Sequence, residues 1–118
     1  PPGSACAARE AMLKSDEIIL VTEPTPFGLH DLAIVYQLAR QAHENVSLVI
    51  NRVDEPYEPL EQFAAVNRLS ILARIPVMMD LVSEYSCPGL FSGRYPEFSG
   101  AVSAIADSLT QENRGGLL

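Results

Sequence analysis

Four aliphatic residues in a row, Ile18-Ile19-Leu20-Val21, end abruptly at Thr22-Glu23-Pro24. The run shows no polar alternation. It therefore predicts a strand covered on both faces, as in a parallel sheet. Pro24 holds Glu23 extended. A turn is expected at Thr25-Pro26-Phe27-Gly28, and a long amphipathic helix from about Leu29. A strand that runs through a polar loop into a helix N-terminus is where open α/β sheets place ligands. The helix end offers free N–H groups and partial positive charge, which suit anions.

The rest of the chain repeats this alternation. Residues 5–13 (ACAAREAML) are Ala-rich and predict a short helix, with Ser4 as its cap. Strand 17–22 follows the polar break Lys14-Ser15-Asp16. Helix 29–44 carries a core stripe at Leu29, Leu32, Ala33, Tyr36, Ala39 and His43. Val35, Leu38 and Ala42 widen that stripe, so the helix should be well buried. Strand 46–50 (VSLVI) delivers Asn51-Arg52-Val53-Asp54. After a Pro-rich loop, Pro59 suits the first helical position. Leu60, Phe63, Ala64 and Val66 or Asn67 should line that helix. Strand 71–75 (ILARI) ends at Pro76-Val77. A short helical stretch is expected over residues 80–85, and a last helix should carry Phe98, Val102, Ile105 and Leu109. Strands alternating with helices predict an α/β fold, a parallel sheet with flanking helices. The expected division is one domain over residues 1–111 and a flexible tail over 112–118.

Three strands is few for such a sheet, where about 4 to 6 is usual. The chain also opens Pro1-Pro2-Gly3 without a Met. Together these suggest a fragment of a longer protein that supplies further strands. On its own, the cut edge would expose strand backbone and apolar surface and invite self-association.

The formal net charge is −7. That disfavours nucleic-acid binding, which needs a basic face. It does not disfavour a nucleotide, whose phosphates backbone N–H groups and Mg²⁺ can hold. No apolar run approaches the ~20 residues of a membrane span. Cys6 and Cys87 lack metal or disulfide-framework spacing, so a reduced, cytoplasmic setting is expected.

In a parallel sheet the loops 22–28, 51–54 and 76–80 leave the same edge. Asn51 offers a donor and an acceptor that can read a purine edge, and Asp54 can accept from an N–H. Both residues can equally satisfy backbone in a turn. Glu23, His30 and Asp31 stand at the helix mouth, where Asp31 suits the dipole. His43 and Met78-Met79 read as core, and the cysteines as small hydrophobes. No G-x-S-x-G, H-E-x-x-H or G-x-x-x-x-G-K-[ST] is present.

Four segments carry a resemblance: P-P-G-S-A-C (1–6), D-E-I-I-L-V-T-E-P-T-P-F-G-L-H-D-L (16–32), V-I-N-R-V-D (49–54) and I-L-A-R-I-P (71–76). Together they resemble the C-terminal half of the MinD/Mrp superfamily of P-loop ATPases. The branch they look most like has an inserted ferredoxin domain and is related to cobyrinic acid a,c-diamide synthase. The resemblance implies the C-terminal half of a MinD-like P-loop NTPase fold. Pro1, Pro2 and Gly3 would end a switch segment facing the γ-phosphate and Mg²⁺. Asn51 would contact adenine with Arg52 beside it, and Pro76 and Val77 would line the base pocket. Thr22, Glu23 and Thr25 would form an edge loop near the nucleotide and a dimer face. The parent protein would bind ATP and Mg²⁺, form a homo-dimer, and serve a redox or metal-cofactor partner. Iron–sulfur clusters would sit in the insert. This chain lacks the Walker A loop, so it should be inactive alone. Two other expectations stand beside this one. One is a stand-alone α/β interaction or regulatory module. The other is a GTP-binding domain, since N-R-x-D resembles the guanine-reading N-K-x-D.

Overall fold

Each apolar run of the sequence becomes a parallel strand, and each amphipathic run a helix beside it. The computed structural model describes residues 5–77 and 96–115. Its elements are α1 (Ala5–Leu13), β1 (Ile18–Thr22), α2 (Pro26–Ala42), β2 (Val46–Val53), α3 (Glu58–Val66), β3 (Ser70–Pro76) and α4 (Pro96–Gly115). The strands form one parallel sheet in the order β1-β2-β3. Among the described residues the fold is thus α/β, a three-stranded parallel sheet flanked by helices. No helix among the described residues is long and apolar enough to cross a membrane.

β1 and β2 pair in register from Ile18 opposite Val46 to Thr22 opposite Ile50. The β2–β3 ladder is irregular. Near its end β2 advances from Ile50 to Val53 while β3 advances from Arg74 to Pro76, so β2 holds one extra residue. This is a β-bulge, which bends a strand and re-aims its side chains.

The core lies between one sheet face and α2 with α3. It contains Ile18 and Leu20 of β1, Leu48 and Ile50 of β2, Leu32 and Ala39 of α2, Leu60 and Ala64 of α3, and Leu69. Tyr36 of α2 and Phe63 of α3 meet edge to face, with centroids 5.6 Å apart, a favoured aromatic geometry. α4 lies against β3, and α1 against α2.

Several expectations are corrected. Residues 26–28 are the first turn of α2, not a turn before it. Pro26 suits the opening of a helix and Thr25 caps it, so the helix starts three residues early. β2 runs on through Val53, so residues 51–53 belong to the bulged strand rather than to a loop. β1 is not covered on both faces: Ile18, Leu20 and Thr22 are buried, but Val21 is 65% exposed. Only Leu32 and Ala39 of α2 are fully buried, while Val35 is exposed and Leu38 half-buried. Val66 of α3 is 81% exposed. The last helix continues to Gly115, so residues 112–115 are helical rather than tail. Gly3 and its two prolines, the Ser4 cap, Met78-Met79, the 80–85 stretch, Cys87 and the Phe98 side chain lie outside what is described.

Candidate functional site

Thr22-Glu23, Asn51-Arg52 and Pro76-Val77 all stand at the C-terminal ends of neighbouring parallel strands. The edge between β1 and β2 is tied by an ion pair, Arg52 Nη1 to Glu23 Oε1 at 3.4 Å. Both side chains are exposed, so the pair contributes at most about 1 kcal/mol. The edge between β2 and β3 is tied by the Val77 N–H, which donates to the Val53 carbonyl at 3.1 Å.

Arg52 has φ 58, in the left-handed region. A bulge residue with that backbone is ordinarily glycine. Here an arginine takes it, and the Arg52 N–H donates to Asn51 Oδ1 at 3.0 Å. The carbonyl half of the Asn51 amide is therefore engaged locally, and its NH₂ remains the group that can read a ligand. Strained non-glycine backbone persists where the surroundings impose it, and it clusters at functional sites.

The loop from β1 into α2 is closed on itself. The Thr22 hydroxyl donates to the Gly28 carbonyl at 3.0 Å, and the Gly28 N–H donates to Thr25 Oγ1 at 3.0 Å. The Thr25 N–H donates to the Glu23 carbonyl at 2.9 Å. A Cβ on Gly28 would land on the Glu23 carbonyl oxygen. The helix N-terminus thus spends one of its free donors on its own cap, which reduces what it can offer an anion. His30 and Asp31 are exposed. His43 caps the other end of α2: its Nδ1 accepts from the Asn45 N–H at 3.0 Å.

Two hollows flank this edge. The smaller, about 80 Å³, is lined by Pro24, Ile50, Val53, Tyr57, Leu60 and Arg74 among others. Small-molecule sites run to roughly 300–1,000 Å³, so it does not admit a nucleotide base with its sugar. Beside it Arg74 grips Glu61 with two parallel bonds, Nε to Oε1 at 2.9 Å and Nη2 to Oε2 at 2.7 Å. The hydrogen bond from Arg74 holds the Glu61 carboxyl below its usual range. The larger hollow is an open groove of about 1070 Å³ along the outer side of β1, and Thr22, Glu23 and Thr25 line one part of it. Asn51, Arg52, Pro76 and Val77 line neither hollow. The predicted site residues therefore fall into two sets, joined through Glu23 and Arg52.

Sequence reasoning expected an exposed apolar edge but did not place this groove along β1 or name its lining. Its signal lay in a second stripe on α2, Phe27, Ile34 and Leu38, spaced by seven and four. Phe27 is 77% and Ile34 59% exposed.

No family model matches the chain, and no solved structure matches it. A 50-residue stretch is 32% identical to the uncharacterized protein MJ0579 of Methanocaldococcus jannaschii. The match covers 42% of this chain and 19% of that protein, so the chain spans only a fraction of its relative's length.

Proposed function

We propose that this chain supplies the adenine-side part of an ATP-binding, MinD-like domain in a longer, cytoplasmic protein. The observation that supports it best is the shared strand edge. Asn51, Arg52, Pro76 and Val77 meet there, and a bulge fixes Arg52 in a left-handed backbone beside the Asn51 amide. An Asn with a free NH₂ at a sheet's carboxyl edge suits reading a purine.

The fit is confined to the base. Among the described residues no three His, Cys, Asp or Glu side chains are grouped to hold a metal. We therefore assign neither Mg²⁺ nor an iron–sulfur cluster to the described residues, and derive no phosphoryl-transfer step for them. Walker A, dimerisation around ATP and any redox or metal-cofactor partner belong to the longer protein.

Titration of the 118-residue chain with ATP–Mg²⁺ should give neither micromolar binding nor hydrolysis; either result overturns the reading. In the longer protein Asn51→Ala should weaken ATP binding about tenfold, the worth of one good hydrogen bond. Unchanged affinity would favour an interaction module without nucleotide, a reading to which the groove beside β1 gives independent weight. Competition between ATP and GTP in the same protein separates the guanine-reading alternative.

A further inference from the structure

Leu48 and Ile50 of β2 are core residues, and Val53 packs against the same core. Side chains of a regular strand alternate, so a period of two would put Arg52 on that face and turn Val53 away from it. The bulge reverses this. Between the pairs Ile50–Arg74 and Val53–Pro76, β2 spends two residues where β3 spends one. Neither Asn51 nor Arg52 is paired with a residue of β3. The left-handed backbone of Arg52 then returns the chain to the ladder at Val53, whose carbonyl accepts from the Val77 N–H. The Arg52 N–H donates to Asn51 Oδ1. A backbone N–H can only donate, so it fixes the amide with its oxygen toward the chain and its NH₂ away from it. The Arg52 guanidinium lies elsewhere, against Glu23 and largely in solvent.

We infer that Arg52 is a positioning residue that acts through its backbone rather than its guanidinium. Its left-handed conformation builds the bulge, and the bulge aims the Asn51 amide at the ligand. Three observations converge on the backbone. The N–H of Arg52 is what touches Asn51, the return of Val53 to the core needs the extra residue, and the cationic end already has a carboxylate beside it. Residue 52 is therefore selected by the backbone it tolerates. Glycine takes a left-handed bulge position without strain, whereas a β-branched residue is an outlier there. For its ligand, a purine nucleotide, this rests on the nucleotide reading; the aiming of Asn51 rests on strand geometry alone.

Two variants that both lack the guanidinium, Arg52→Gly and Arg52→Val, test it. In the longer protein the Gly variant should bind ATP at least about fivefold more tightly than the Val variant, which carries the backbone strain. The Val variant should fall to the level of Asn51→Ala, and adding it to Asn51→Ala should cost no further affinity. Equal losses in the Gly and Val variants assign the part of Arg52 to its side chain and overturn the proposal, as does a further loss in the double variant. Nitrogen–proton correlation spectra of the 118-residue chain read the aiming without nucleotide. The Asn51 NH₂ should give a dispersed pair of signals in the parent chain and in Arg52→Gly, and a pair at the position of a free asparagine in Arg52→Val. A dispersed pair in the Val variant, or a free one in the Gly variant, overturns the proposal. Should the Val variant lose its circular dichroism, Arg52→Ala, which strains the same backbone less, is read in its place. Unchanged ATP affinity in Asn51→Ala, with the signals as expected, removes the nucleotide reading and leaves the aiming of Asn51 by Arg52 standing.

Discussion

Two arginines sit in left-handed backbone, and they do so for different reasons. Arg68 follows α3 with φ 54, its N–H donating to the Ala65 carbonyl while the Leu69 N–H donates to that of Ala64. That is a helix C-terminus where glycine is preferred. Arg68→Gly should therefore stabilise the chain by about 0.5–1 kcal/mol, read as a higher urea midpoint at unchanged m-value. Arg52 has the same backbone on a strand, with its side chain toward Glu23. Gly28 shows the converse constraint. Any side chain there meets the Glu23 carbonyl, a backbone atom that cannot move without opening the Thr22 and Thr25 hydrogen bonds. Gly28→Ala should cost roughly 1–3 kcal/mol in denaturation. A variant as stable as the parent protein would show that the loop is not held shut.

Among the elements, α3 and β3 are joined by the Glu61–Arg74 fork. The Glu61 carboxyl is depressed, so the pair's stabilisation is fully present above the ordinary value of 4.5 and is lost as pH falls through the lower folded value. Both side chains retain solvent, which screens the pair. Arg74→Ala should cost roughly 0.5–1 kcal/mol at neutral pH. Denaturation curves of the two proteins should converge below pH 4.5. A gap that persists in acid would assign the loss to packing of the arginine stem instead. Among the described residues, the three strands and four helices were legible from apolar runs, 3.6-residue periodicity and, for α1, its Ala-rich composition. Two boundaries beside the candidate site were not. Thr25-Pro26 reads as a turn as readily as a capped helix start, and tertiary closure through Thr22 decides between them. Nothing in V-S-L-V-I-N-R-V announces a bulge, because a bulge is a property of the pair with β3. The edge position of Asn51 and Arg52 was legible; their separation from the nearest cavities was not, since side-chain direction depends on that bulge.

The whole molecule carries its net charge of −7 on a surface that also exposes Val21, Phe27 and Ile34. Apolar area draws copies together, and the net negative charge keeps them apart. Association of the 118-residue chain should therefore rise with ionic strength, because at about 1 M salt the screening length falls to about 3 Å. Sedimentation at low and high salt checks this, and a dimer already stable at low salt would assign the interface to a face other than the groove. The strand order β1-β2-β3 carries one more consequence, for synthesis. Spatial order equals chain order, so each strand lands beside the one translated just before it, and each βαβ unit closes without waiting for distant chain. A ribosome can therefore lay these three strands down from one side, β1 before β2 and β2 before β3.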